Sequence, residues 1–198
     1  MTMANEPDNE TAPRGRIGRP PKVDQHGTPT RDRLLQAAVD ACVEFGYEGV
    51  TLSDIARRAE VSTPAVYSHF SGKDELLVEA SQHELSTIIS DKLPDSLGLL
   101  GIADQFLAED FERTRILLSE LHNAAHRSPD LAEQLARWQE LAGTRLEGRA
   151  GLSRAQVHLY YLVLLGATHV DAVTGLGVER SELQAEMAAL IGSWLSDR

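Results

Sequence analysis

The stretch from Thr51 to Lys73, TLSDIARRAEVSTPAVYSHFSGK, constrains the fold of this chain more than any other. Thr51 precedes an apolar-periodic run and stands three residues before Asp54, the spacing of a capping box in which hydroxyl and carboxylate satisfy each other's free backbone amides. Leu52, Ile55, Ala56 and Ala59 then share one helical face, while Ser53, Arg57 and Arg58 point elsewhere. The pattern breaks at Glu60-Val61. Ser62 is placed to cap a second segment whose early Pro64 falls in the first turn, where a missing N–H costs nothing. Val66 and Phe70 face inward, leaving Thr63, Pro64, Ala65, Tyr67, Ser68 and His69 exposed. Small groups at the helix start with larger polar groups behind them suit the major groove of a duplex.

The flanks are helical too. A first helix is expected from near Thr30 to Gly46, a suitable left-handed terminator, with Leu34, Leu35, Ala38, Cys42 and Phe45 on its apolar side and Tyr47 and Val50 returning to the core. Ser71 with Asp74 forms another capping box, opening a long helix to about Lys92 with Leu76, Leu77, Ala80 and Leu85 inward, and Pro94 ends it. Gly98 and Gly101 weaken the next stretch while Leu97, Leu99, Leu100 and Ile102 demand burial, so a short irregular helix is expected over 95–103. Phe111, Leu118, Leu121 and Ala125 share helical spacing within 104–126, and Ser128-Pro129-Asp130 starts a helix carrying Leu131, Leu135 and Trp138. Ser153 with Gln156 and Ser181 with Gln184 cap the last two helices, the first of them reaching about Thr174. Nothing alternates with period two, so the fold class is all-α.

Nineteen basic against thirty acidic residues give a net charge of −11, which taken whole argues against a nucleic-acid partner. The distribution points the other way. Residues 11–75 hold nine Lys/Arg and nine Asp/Glu, whereas residues 76–198 hold ten and eighteen, so an acidic C-terminal body leaves only the near-neutral N-terminal part able to approach phosphate. The single Cys42 excludes an internal disulfide and reads as a core thiol. There is no N-terminal apolar signal region, and the longest apolar run, Leu159 to Ala167, is too short to span a bilayer, so a soluble cytoplasmic protein without a membrane partner is expected. Residues 1–28 are rich in Pro, Gly and charge without any period, which predicts a disordered arm. Within it RGRIGRPPK gathers Arg14, Arg16, Arg19 and Lys22, and Gly18-Arg19-Pro20 resembles the core of an AT-hook, whose extended backbone brings arginine into a narrow minor groove.

Four ordered elements carry a wider resemblance: a first helix ending in FGYEGVT, then LSDIARRAEVS, TPAVYSHF and SGKDELL. From Arg31 to Leu77 they resemble the N-terminal DNA-binding domain of the TetR family of bacterial transcriptional repressors, with Tyr67, Phe70 and Lys73 where that family carries its most recognisable residues. The organisation implied is a basic arm (1–28), a helix-turn-helix domain (29–75) and a helical effector-binding and dimerisation domain (76–198). Side-chain chemistry and the resemblance together suggest Thr51 and Ser53 as phosphate contacts, Thr63, Pro64, Ala65 and Ser68 near base edges, and Tyr67, His69 and Lys73 as phosphate clamps. Arg31 and Arg33 are further backbone candidates. No Arg, Asn or Gln lies on the recognition helix, which shifts weight to apolar contacts, DNA shape and the arm.

The resemblance further implies a homodimer through the last two helices, a palindromic operator in double-stranded DNA, and a small-molecule effector whose binding releases it. Surplus apolar surface on those helices agrees with a dimer: Leu159 to Ala167 on one, and Leu183, Met187, Leu190, Ile191, Trp194 and Leu195 on the other. Candidate effector-lining groups are Phe106, Phe111, Leu118, His122, Trp138, Tyr161 and His169, which favour a largely apolar organic ligand. His122 and His126 have chelating spacing but no identifiable third ligand, so neither a metal nor a cofactor is assigned. Phosphate-loop, nucleophile-elbow and histidine-metal motifs are absent, which argues against an enzyme. The alternative is a helical DNA-binding dimer controlled by a protein partner or a metal.

Overall fold

Local capping chemistry sets several of the helix starts, and long-range polar contacts decide where the others stop. The computed structural model describes residues 29–91, 98–170 and 177–196, with side chains except at 87–91, 149–150 and 194–196. The expectations for the arm with Arg14, Arg16, Arg19 and Lys22, for Lys92, Pro94 and Leu97, and for the side chains of Trp194 and Leu195 lie outside these residues, whereas the helix from Ser153, expected to reach about Thr174, ends at Ala167 with Thr168 at its C-cap. The described residues form helices α1 (Thr30–Gly49), α2 (Leu52–Arg58), α3 (Thr63–Tyr67), α4 (Lys73–Asp91), α5 (Gly98–Leu107), α6 (Glu112–Ala125), α7 (Pro129–Ala150), α8 (Arg154–Ala167) and α9 (Arg180–Ser196), with a 3-10 turn at Glu109–Phe111 before α6. The fold is all-α, as expected.

Helix α1 buries Leu34, Leu35, Ala38 and Cys42 and is interrupted at Gly46, whose φ of 70° lies in the left-handed region. Space as well as torsion demands glycine here, since a Cβ would meet Glu120 Oε2 at 3.0 Å. Phe45 does not join the core as expected. It is 42% exposed and is covered by the Arg58 guanidinium, 5.9 Å from the ring centroid and itself paired with Glu44. Displaced to the side of α1 by the break at Gly46, the ring is shielded by a cation instead of by apolar neighbours.

Helix α2 opens on the expected capping box: Asp54 N–H donates to Thr51 Oγ1 (3.2 Å) and Thr51 N–H to Asp54 Oδ2 (3.3 Å). It closes at Glu60, whose φ of 55° lets Val61 N–H reach back to Ala56 O (2.9 Å). Ser62 occupies the N-cap position of α3, but its side chain makes no cap; its carbonyl starts the helix by accepting from Ala65 N–H at 2.8 Å. At α4 the expected Ser71–Asp74 box is replaced by one with Glu75, whose Oε2 accepts from both the amide and the hydroxyl of Ser71 at 2.5 Å. Asp74 is drawn away by the Tyr47 hydroxyl, which donates to it at 2.6 Å.

Three further expectations are corrected. Gly98–Leu107 is a helix entered through a left-handed Gly98 (φ 48°), because burial of Leu99, Ala103, Phe106 and Leu107 outweighs the low propensity of glycine. The helical spacing over 104–126 is split at Ala108 and the 3-10 turn. The cause is Arg115, fully buried, whose Nη1 donates to Phe106 O (2.6 Å) and Ala108 O (2.7 Å) and so satisfies carbonyls that a continuous helix would have used itself. Ser153 and Gln156 do form their capping box, whereas α9 starts at Arg180, ahead of Ser181, and Gln184 donates to Asp104 O (3.4 Å).

Two apolar cores result. One gathers α1, α2, α3 and the first half of α4 with Leu117, Leu121 and Ala124 of α6 and Leu131 and Leu135 of α7. The other joins Leu85, Leu99, Phe106, Phe111, Leu118, Val157, Tyr160, Leu164 and Ile191. Residue 75 falls within α4, and the first core runs across it. Trp138 packs against both cores.

Candidate nucleic-acid interface and ligand cavity

Burial of Val66 (0%) and Phe70 (2%) anchors α3 and decides what it presents outward. Pro64, Tyr67, Ser68 and His69 are exposed, Tyr67 to 59%, while Thr63 and Ala65 are half-buried beside them. The Ser68 hydroxyl donates back to Ala65 O (2.6 Å), which keeps its oxygen lone pairs outward. Ser53 is exposed at the start of α2. Thr51 is less available, since its hydroxyl also donates to Asp54 Oδ2 at 2.5 Å, and that bond is the main reason the Asp54 carboxyl sits below its usual range.

The cations near this surface are engaged within the protein. Lys73 Nζ donates to Tyr47 O (2.8 Å) and lies 4.1 Å from the centroid of that ring, so it closes the end of α1 where a phosphate clamp was expected. Arg31 pairs with Glu79 and stands over Phe70, 5.2 Å from the centroid, and Arg57 bonds Asp54 at 2.9 Å. The surface is therefore polar and nearly neutral, with hydroxyls, a phenol and an imidazole as its hydrogen-bonding groups.

In the body, α4 to α8 enclose a cavity of about 540 Å³, within the range of small-molecule sites. Of the seven expected lining residues the structure brings Phe106, Leu118, His122, Trp138 and Tyr161 together around it. Phe111 is elsewhere, fully buried with its ring centroid 4.7 Å from that of Phe106, and His169 is exposed with Nδ1 3.3 Å from Ser119 Oγ. Gln139 and Arg145 also line the cavity and were not anticipated. A signal was present: Trp138, Ala142 and Arg145 recur at four and seven residues, one face of α7.

His122 is the most polar group deep in this wall, and both its ring nitrogens are engaged. Nδ1 lies 2.7 Å from Leu118 O and therefore carries the proton, leaving Nε2 to accept from Gln139 Nε2 at 3.1 Å. Burial holds the imidazole below its ordinary value, with His126 and His169 adding repulsion, so the ring is neutral. His126 is exposed at the end of α6, and no group of three metal-ligating side chains occurs among the described residues.

One helix touches both regions. Leu118 and His122 of α6 line the cavity, while Leu117, Leu121 and Ala124 of the same helix belong to the core beneath α1 and α3. Glu120 Oε2 accepts from Tyr47 N–H (2.8 Å), directly after the break at Gly46; the pair Arg113–Asp40 ties α6 to α1 on one side, and Arg127–Glu48 (3.1 Å) ties the turn just past the end of α6 to it on the other. Tyr47 is thereby held from four directions: its amide by Glu120, its carbonyl and ring by Lys73, and its hydroxyl by Asp74. Tyr47 is buried, as its return to the core predicts, and has this polar role besides, which its spacing does not reveal.

Comparison with known proteins agrees with this architecture. A family model described as bacterial regulatory proteins, tetR family, matches residues 34–80. ArpR of Pseudomonas putida, described as an HTH-type transcriptional regulator, is 30% identical over 179 residues, spanning 84% of this chain and 80% of that protein. The HTH-type transcriptional repressor KstR of Mycobacterium tuberculosis is 33% identical over 107 residues, spanning 54% of this chain and 45% of its own length. The chain thus spans less than half the length of the first curated relatives it matches. Among solved structures, a transcriptional regulator of Rhodococcus sp. Rha1 is similar with a TM-score of 0.65 at 25% identity, covering 84% of this chain and 96% of that one. These relatives are transcriptional regulators, not enzymes.

Proposed function

The chain belongs to the TetR family of bacterial transcriptional regulators, and from that membership we propose that it binds a palindromic operator as a homodimer, represses transcription there, and is released when a small, largely apolar ligand enters the body cavity. The observation that carries this reading is the double engagement of α6, with the cavity on one face and the core and Tyr47 amide of the reading head (29–75) on the other. A ligand that repositions Leu118 and His122 must move the same helix that holds Glu120 against Tyr47. Such a shared element is what a coupling between two sites physically requires.

In this reading α3 enters the major groove. Thr63, Pro64, Ala65 and Ser68 approach base edges, Tyr67 and His69 contact phosphates, and Thr51 and Ser53 contact the backbone beside them. Lys73 contributes by holding Tyr47, with a phosphate contact open to it only if that bond exchanges. The basic arm, with Arg14, Arg16, Arg19 and Lys22, adds minor-groove contacts. Dimerisation is supported by apolar groups exposed on the last two helices: Leu159 (45%) and Leu162 (65%) on α8 and Leu190 (46%) on α9. Action on DNA places the protein in the cytoplasm in this reading; no described helix is long and apolar enough to cross a membrane. Repression is supported by relatives that are named repressors.

Selection from random duplexes tests the proposal. An enriched site with two-fold symmetry and half-sites about one helical turn apart is expected. Failure to enrich any sequence refutes operator binding, and an enriched site without symmetry refutes the dimer.

A further inference from the structure

Arg145 differs from the other arginines around it. Arg113, Arg127, Arg137 and Arg154 are each paired with a carboxylate, Arg137 with Glu133 four residues back in α7 at 3.0 Å. Arg145 is exposed on the lining of the cavity and has no partner among the described residues. Its own helix cannot supply one, since the positions three and four away are Leu141, Ala142, Gly148 and Arg149. The rest of the described lining contains no Asp or Glu, and its one imidazole, His122, is neutral with both nitrogens engaged. Beyond Arg145 the wall is chiefly apolar, with Phe106, Leu118, Trp138 and Leu164 in it.

From this arrangement we propose that the cavity takes an apolar-bodied monoanion, a carboxylate or similar acid, whose body lies among the apolar side chains and whose charge rests on the Arg145 guanidinium. The described wall offers a ligand cation no carboxylate, only the ring faces of Phe106, Trp138, Tyr160 and Tyr161, and Arg145 repels it, so an ammonium is the least favoured of the three charge states. An uncharged ligand keeps the apolar contribution and forgoes the ion pair. A planar guanidinium offers a carboxylate two parallel N–H donors, a geometry an alcohol cannot match. Residues 76–198 carry eight more acidic than basic residues, a field that opposes anions in general, so an anion's gain in this cavity has to come from Arg145 itself. This inference rests on the reading that the cavity is the effector site, and it narrows the ligand class for that site.

Matched probes separate the two ideas. Decanoate, decanol and decylammonium share one body, and naphthoate, naphthylmethanol and naphthylmethylammonium share another; each is titrated calorimetrically into the full-length, DNA-free protein below its micelle concentration. In at least one series the carboxylate is expected to bind at least about fivefold tighter than the alcohol, with the ammonium weakest. Arg145→Glu, at an exposed and unpaired position, is expected to leave the melting temperature nearly unchanged, to leave the alcohol's affinity unchanged, and to reverse the order of carboxylate and ammonium. An ammonium that binds wild type as tightly as its carboxylate, an order that survives Arg145→Glu, or no binding in either series overturns the inference. Release of the selected duplex is measured separately. Binding in the expected order without release removes the effector reading and leaves the ligand class standing, whereas release driven by the ammonium probes does the reverse.

Discussion

Replacing Glu120 by Ala removes the acceptor of the Tyr47 amide at the break that ends the main run of α1. The bond is 2.8 Å long, part-buried, and made to a charged oxygen, a class contributing about 1.5–3 kcal/mol; its partial exposure places it near the lower end, about 2 kcal/mol. For a chain of this size each kcal/mol lowers the melting temperature by roughly 2–4 °C, so a fall of about 4–8 °C is expected. Among the described residues no other side chain bonds the Tyr47 amide, and the Tyr47 carbonyl and hydroxyl stay committed to Lys73 and Asp74. Glu120→Gln keeps an acceptor oxygen while losing its charge and should recover about half of the loss. Thermal denaturation followed by circular dichroism reads both variants. If Glu120→Ala melts within about 1 °C of wild type, the amide has found water or another partner, and the junction between α6 and the head is weaker than its geometry implies.

Other perturbations bear on separate parts of the structure. Arg115→Leu strands the carbonyls of Phe106 and Ala108 in a buried site, at about 2–4 kcal/mol, and should appear as a lower urea midpoint. Tyr161→Phe should instead raise the melting temperature of the ligand-free protein, since the hydroxyl it removes is buried without a hydrogen-bond partner and burial has pushed that phenol up to about 12. His122 is held below 6.5, so the unfolded chain binds its proton first as the solution is acidified; the stability this neutral ring contributes is present above about pH 6.5 and is lost below it. His122→Leu should flatten that part of a melting-temperature profile taken between about pH 7.5 and pH 5. Cys42, fully buried and with its thiol pushed up to about 12 by burial and Glu120, should resist a thiol reagent in the native state and react fully once unfolded.

What was legible beforehand follows the range of the interactions. The Thr51–Asp54 and Ser153–Gln156 boxes, the left-handed Gly46 and the anchors Val66 and Phe70 are set by residues within a turn or two, and spacing alone identified them. The break between helices at Ala108 was hidden because its cause is a side chain seven residues on, and arginine ordinarily reads as a surface residue. Asp74 was misassigned for the same reason, since the Tyr47 hydroxyl that claims it is 27 residues away. Around the cavity, aromatic residues at helical spacing could be recognised as inward-facing, but not sorted between a wall and a filled core. Phe106 and Phe111 lie in ring contact, yet only Phe106 reaches the open space. The unpaired state of Arg145 combines a local fact, the lack of acids one turn away, with a distant one, the acid-free wall across the cavity.

The measurement that bears most directly on coupling through α6 is the affinity of the selected duplex with and without a saturating cavity ligand, by fluorescence anisotropy at one fixed salt concentration. A coupling of about 1–3 kcal/mol, the usual size, weakens DNA binding roughly 5–150-fold in the wild type, and Glu120→Ala, which cuts the link to Tyr47, reduces that factor. A dissociation constant unchanged by a ligand shown to occupy the cavity would contradict the account.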